Sequence, residues 1–146
     1  MIYLIKDFTD RFFKFLNEDP VRPHIPIENR LGTNKDIFVL PDESENIGAI
    51  TCVSYQESVP TNEIELFNQV SEPVVAIYYT IWSYKAGAGR KLILDSVDYI
   101  KEHNPKIIRF VTLSPKTEMA KRFHLKNGAV ILRENTDTIN YEYILT

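Results

Sequence analysis

Cysteine is nearly missing from this sequence. Cys52 is the only one, so no disulfide can form within the chain. It lies in an alternating, strand-like stretch, where a small buried hydrophobe describes it better than a nucleophile does. Long apolar runs are missing too: none approaches the ~20 residues of a membrane-spanning helix. The start, Met1-Ile2-Tyr3-Leu4-Ile5, meets Lys6-Asp7 too soon for the apolar core of a signal peptide. The expectation is a cytoplasmic protein without a membrane partner, its thiol reduced. Basic runs are also absent. The chain sets 17 Lys and Arg against 20 Asp and Glu, a formal net charge of -3, which argues against a nucleic-acid partner. His24 and His124 lack the partner spacing of a zinc site, and no metal is expected.

What is present suits one folded domain over residues 1–146. Hydrophobic residues make up 44% of the chain and aromatics 12%, enough for a normal core. Tyr3 to Ile5 reads as a short strand. Asp7 to Glu18 follows with Phe8, Phe12, Phe13, Phe15 and Leu16 at helical spacing, ended by Asp19-Pro20. Asp36–Leu40 and Ile47–Gln56 read as strands around an acidic turn, Asp42 to Asn46. Asn62, with Glu65 three residues on, is set to cap a short helix reaching about Val70. Val74 to Trp82 is the longest apolar run and reads as a central strand.

The second half alternates. Leu92, Ile93, Val97 and Ile100 mark a helix opened by Gly87-Ala88-Gly89 and closed by His103-Asn104-Pro105. Ile107 to Leu113 is a strand. Ser114-Pro115 offers an N-cap and a first-turn proline to another helix, which Asn127-Gly128 ends. Ala129–Glu134 and Thr138–Leu145 form a hairpin. A strand–helix–strand unit in the middle requires a parallel pair; hairpins at both ends supply antiparallel strands. The class is α+β.

Two segments carry chemistry. Tyr84-Lys85-Ala86-Gly87-Ala88-Gly89-Arg90 joins a strand to a helix. Glycines there let backbone N–H groups approach an anion, and the helix N-terminus adds about half a positive charge. A pyrophosphate suits it; so does a plain tight turn. No Gly-Lys-Ser/Thr follows, so it is no Walker loop, and Leu92 replaces the third glycine of a dinucleotide fingerprint. The second segment runs from Ser114 to Ala129.

Together they resemble the GNAT superfamily, the GCN5-related N-acetyltransferases. Members carry Gln/Arg-x-x-Gly-x-Gly/Ala after their fourth strand. Roughly thirty residues later comes a pattern like Asn-x-x-Ala-x-x-Leu/Phe-Tyr-x-Lys-x-Gly-Phe. Gly87 and Gly89 match the first; Ala120, Phe123, Lys126 and Gly128 match the second. Tyr84 replaces the usual Gln or Arg, Thr117 the Asn, and His124 the Tyr. The match covers residues 74 to 146, the first half agreeing only in element order.

The resemblance implies a mixed, mostly antiparallel GNAT-like sheet, with one central parallel strand pair splayed apart and helices on both faces. It implies an acetyl-CoA N-acetyltransferase acting on a small-molecule or protein amine, with acetyl-CoA as co-substrate. The pantetheine arm would follow the free strand edge Tyr79, Thr80, Ile81 and Trp82. The pyrophosphate would meet Tyr84, Lys85, Ala86, Gly87, Ala88, Gly89 and Arg90, with Thr117 and Lys126 from the second pattern nearby. His124 would protonate the leaving thiolate, an imidazole near pKa 6.5 being partly charged at neutrality; a half-exposed helix residue is an equal reading. Tyr78 is a candidate base. Arg22, His24 and Arg30 would bind an anionic group on the acceptor, or else are ordinary loop residues, and Tyr141 would line the acceptor side of the cleft. No strand carboxylate stands out between Val74 and Trp82, where many relatives keep a glutamate. Ser58 to Pro73 is long enough to cover the acceptor side or a dimer partner. Two further readings stay open: a CoA-binding module without catalysis, and an interaction protein whose glycine turn is structural.

Overall fold

The computed structural model describes residues 1–43 and 46–144. Its eight strands are β1 (Tyr3–Ile5), β2 (Lys35–Pro41), β3 (Ile47–Gln56), β4 (Val75–Ser83), β5 (Arg109–Thr112), β6 (Ser114–Pro115), β7 (Ala129–Glu134) and β8 (Thr138–Tyr143). They form one sheet in the order β1-β2-β3-β4-β5-β8-β6, with β7 also on β8. β4 and β5 pair in parallel and the other pairs are antiparallel. The reason lies in the connection: α1 (Ala88–His103) carries the chain back across the sheet between them.

Both faces of the central strands are covered, which explains why β3 and β4 read as nearly unbroken apolar runs. On one face Leu92, Ile93, Val97 and Ile100 of α1 pack on Phe38, Val53, Ala76 and Tyr78. The other face carries no α-helix among the described residues. Short 3-10 helices cover it at Phe13–Glu18, Ile27–Arg30 and Glu63–Phe67, burying Phe12, Leu16, Ile25 and Leu66 against Ile50, Cys52 and Ile77. Among the described residues no helix is long and apolar enough to cross a membrane.

Three helical expectations change in detail. Asp7 to Glu18 gives only the 3-10 turn at Phe13–Glu18. Asp7 instead accepts from the N–H and hydroxyl of Thr9, and Asp10 from the N–H of Phe12. Such local bonds compete with helix. The segment after Asn62 is capped as expected, by a bond from Glu65 N–H to the Asn62 side chain, but it stops at Phe67. Ser114 does not cap a helix. Its hydroxyl pairs with that of Thr112 at 2.7 Å, and Ser114–Pro115 adds a short strand to β8. Thr117 is the cap of α2 (Glu118–Lys126), accepting from Ala120 N–H. Gly128, at φ 98°, ends α2 as expected. Of the expected final strand, β8 reaches Tyr143, and Leu145 lies outside the described residues, as do Ser44 and Glu45 of the acidic turn.

Candidate active site

β4 and β5 run together for four rungs, from Val75 beside Arg109 to Tyr78 beside Thr112. A last bond, from Leu113 N–H to the Tyr78 carbonyl at 3.0 Å, closes the paired part. β4 then continues to Ser83, while the segment after β5 turns away from it and pairs with β8 through Ser114 and Pro115. The central parallel pair is therefore splayed.

A bulge sits at the fork. Tyr78 lies opposite Val53 and Thr80 opposite Cys52, so Tyr79 has no partner on β3. An extra residue turns successive groups to one side. The carbonyls of Tyr78 and Tyr79 both face the gap, one accepting from Leu113, the other from Arg22 Nε at 3.0 Å. Side chains follow suit. Tyr79 packs on the 3-10 face, and Thr80 joins it there, donating to Asp19 at 2.9 Å. Unbroken alternation would put Tyr78 and Thr80 on one face of β4; the bulge puts them on opposite faces.

The fork opens into a cleft of about 290 Å³. β4 from Tyr78 to Ser83 forms one wall, and Ser114, Pro115 and α2 the other; Pro20 and Val21 also line it. Among the described residues no Lys, Arg, Asp or Glu lines it. Of the expected cofactor residues, Tyr79, Thr80, Ile81, Trp82, Gly89 and Thr117 line this cleft.

Beyond the cleft lies the glycine turn. Gly87 adopts φ 80°, the left-handed conformation that opens α1. Gly89 does something else: a Cβ there would meet the Phe123 ring at 2.9 Å, so it gives α2 room to approach α1. Among the described residues the N–H groups of Lys85, Ala86, Gly87, Gly89 and Arg90 have no protein acceptor, as the first turn of a helix leaves them. Arg90 is exposed, Ala88 is buried, and Lys85 pairs with Asp42 at 2.7 Å. Tyr84 donates to Glu18 and accepts from Trp82 Nε1. Lys126 stands exposed in the last turn of α2 and does not line the cleft.

The proton-handling candidates change most. His124 lines the cleft but is buried, stacked on Tyr141, with Nδ1 at 2.7 Å from the Tyr143 hydroxyl. Burial pulls its pKa down to about 4. The imidazole is neutral at pH 7, so a standing imidazolium, the premise for an acid at this position, is not available. Tyr78 is no base either. Ser96 gives its proton to the Ile93 carbonyl, so the Tyr78 hydroxyl donates to Ser96 at 2.6 Å, beneath α1. Burial holds its pKa far above the usual tyrosine value.

The expected acceptor residues separate. Tyr141 is fully buried in the core, its hydroxyl without a protein partner among the described residues, and it lines neither the cleft nor its neighbour. Arg30 is buried in an ion pair with Asp19 at 2.7 Å. His24 is exposed and points Nε2 at both oxygens of Glu63, 2.7 and 2.8 Å away. Arg22 is not a free anion site: Nε donates to Tyr79 O, Nη2 to Leu113 O at 2.8 Å, and Nη1 to Glu63 at 2.6 Å. One guanidinium thus bridges the two strands just past their fork. A groove of about 640 Å³ lies on its other side, lined by Arg22, Thr61, Asn62, Glu63 and the β7–β8 turn. Asn140, fully buried, pins this groove by donating to Pro60 O and Thr112 O. The sequence reading missed Asp19, Glu63 and Asn140, which lie far apart in sequence from the residues they hold. Asn62, the cap that places Glu63 at the start of its turn, is the one local signal that pointed there. Among the described residues no cluster of three His, Cys, Asp or Glu side chains is set to hold a metal ion.

The sequence matches no protein-family model and no curated protein. Solved structures share the fold. Malonyl-CoA decarboxylase from Cupriavidus metallidurans aligns over 99% of this chain and 60% of its own, with a TM-score of 0.80 and 14% identity. This chain spans 35% to 60% of the length of the decarboxylases it matches. A Bacillus subtilis acetyltransferase in complex with CoA aligns over 99% of this chain and 98% of its own, at a TM-score of 0.67 and 12% identity. NAA60 of Arabidopsis thaliana, in complex with a bisubstrate analogue, aligns over 100% of both chains at 0.64 and 13%. The chain has the GNAT fold.

Proposed function

We propose that this chain is an acyl-CoA-dependent N-acyltransferase that carries an acetyl group from acetyl-CoA to a primary amine. The observation that carries the reading is the fork of β4 and β5, opening into a cleft that leads to unpaired N–H groups at the start of α1. A pantetheine arm can add to the free edge of β4 as an extra strand would. The N–H groups of Lys85 to Arg90 suit the pyrophosphate. Backbone N–H on that edge is also the simplest donor to a tetrahedral oxyanion. The thioester carbonyl then lies near the bulge at Tyr79, where a neutral amine attacks it. The C–N bond forms, the C–S bond breaks, and CoA leaves as a thiolate that water protonates. With a thiol pKa of about 8.5, it needs little help.

The nature of the cleft bears on the acyl group. Decarboxylation of a malonyl thioester, the reaction named for the decarboxylase neighbours, is the rival reading. A malonyl carboxylate in this cleft would lose its water and meet no cation, since among the described residues no charged side chain lines it and His124 is neutral. Acetyl-CoA is therefore expected to bind at least roughly tenfold more tightly than malonyl-CoA, one factor of ten being 1.4 kcal/mol. Isothermal calorimetry with both thioesters checks this.

Thermal unfolding tests the reading as a whole. Acetyl-CoA at a hundred times its Kd adds about 2.7 kcal/mol, or roughly 8 °C for a chain of this size. Thiol release with a panel of primary amines then separates an enzyme from a CoA-binding module. No shift in melting temperature at millimolar acetyl-CoA would sink both.

A further inference from the structure

β4 offers no carboxylate at the fork, yet one stands there from elsewhere. Arg22 forms the boundary between the cleft and the groove. Its two predecessors, Pro20 and Val21, line the cleft, while Arg22 itself lines the groove. Its guanidinium touches both splayed strands and, through Nη1, the carboxylate of Glu63. Glu63 therefore lies one guanidinium away from the carbonyl of the bulged Tyr79. It opens on the groove, with its side chain 26% exposed. We infer that the groove is the acceptor site and that Glu63, held by Arg22, takes the proton of the attacking amine, an inference that rests on the acyl-transfer reading above.

The groups facing Glu63 support that role. Arg22, on the inner side, is fixed by three hydrogen bonds. His24 meets Glu63 on the outer side and is 60% exposed. Asp137, from the β7–β8 turn, lines the same groove. The reacting nitrogen attacks as the neutral amine, its free electron pair forming the C–N bond. As the C–N bond forms, that nitrogen becomes far more acidic. Its proton passes to a Glu63 oxygen, directly or through one water, and His24 offers an exit to solvent. The electron pair of the broken C–S bond leaves with CoA. Glu63 ends protonated and releases its proton before the next turnover. Arg22 is a positioning residue in this scheme. The turn that holds Glu63 is pre-set by the Asn62 cap and by Thr138, whose hydroxyl donates to Thr61 O.

The test uses acetyl-CoA with 1,4-diaminobutane, 2-phenylethylamine and glycinamide as acceptor probes, from pH 6 to 9.5. Calorimetry on the same proteins gives acetyl-CoA affinity. Glu63→Gln should lower kcat/KM for the amine about 100-fold at pH 7, the lower end of what one proton-transfer group supplies. Acetyl-CoA affinity should stay within about twofold of the parent, and the deficit should shrink toward pH 9.5, where free amine and hydroxide replace the lost carboxylate. In Glu63→Ala, added formate should restore part of the rate; this variant serves if Glu63→Gln does not fold. A Glu63→Gln rate equal to the parent's overturns the inference. So does a deficit that is the same at every pH and matched by lost acetyl-CoA affinity, which marks a purely structural carboxylate. A parent that binds acetyl-CoA but acylates none of the probes also overturns it, while leaving CoA binding in place. A parent that fails to bind acetyl-CoA removes the acyl-transfer reading instead.

Discussion

His124 carries opposite meanings in sequence and structure. On α2 it stands where the family pattern has tyrosine, and its ordinary pKa invites an acid. Packed against Tyr141 and Phe123, it is a neutral, hydrogen-bonded core group. The consequence is measurable as stability. Between pH 6.5 and about 4 the unfolded chain takes up a proton at this ring that the folded chain refuses. Stability from this group is complete above pH 6.5, falls as pH drops through that window, and levels off below 4. The total is about 3 kcal/mol, from 1.36 kcal/mol per pKa unit. Urea unfolding across this range should give a flatter profile for His124→Gln than for the parent. A second residue-scale prediction concerns Asp19. Its carboxylate accepts from Arg30, Thr80 and the N–H groups of Val21 and Arg22, all buried or nearly so. Asp19→Asn leaves Arg30 buried without its countercharge, which costs about 3–5 kcal/mol, read as a lower urea midpoint. Because Asp19 also holds the turn before Arg22, acetyl-CoA affinity should fall in the same variant.

At the scale of elements, the long β4 run, α1 and the β7–β8 hairpin were legible, since periodicity and breakers agree there. The first helix was not, because aromatic spacing at Phe8 to Leu16 said helix while Asp7 and Asp10 captured the local N–H groups. The bulge was invisible as well: Tyr78-Tyr79-Thr80 looks like ordinary strand, and only the register with Cys52 and Val53 exposes the extra residue. The glycine turn was half legible. Its position was right, but Gly89 is explained by a ring from an element some thirty residues away. That contact yields a prediction. Gly89→Ala puts a methyl where the Phe123 ring now lies, and the half-buried ring can move only by shifting its position in the cleft. The melting temperature should change little, while acetyl-CoA affinity drops about tenfold, or 1.4 kcal/mol. Adding Phe123→Leu should recover most of it. Calorimetry on the single and double variants decides the matter.

At the scale of the molecule, the two halves contribute differently, and this is why only one side of the site could be read from sequence. Residues 74 to 128 build the cleft in nearly continuous order, so its motifs are local. The groove draws Arg22, Glu63 and Asp137 from three distant segments that meet only because β8 lies beside β5 and Asn140 ties the β3–β4 connection to it. Cleft and groove meet across a single guanidinium. Under the acyl-transfer proposal both substrates are expected together, since among the described residues no free thiol, hydroxyl or amine nucleophile lines the junction. Cys52 is fully buried, and burial pushes its thiol up to about 11, which leaves almost no thiolate at neutral pH. The Ser114 and Thr112 hydroxyls bond to each other. Initial rates with acetyl-CoA and a primary amine varied together should therefore give intersecting rather than parallel double-reciprocal lines. Acetyl-CoA alone should release no stoichiometric burst of free CoA, and the intact mass of the chain should not rise by an acetyl group. Parallel lines, or a burst matched by acetylated protein, would mean that a nucleophile on this chain intervenes between cleft and groove.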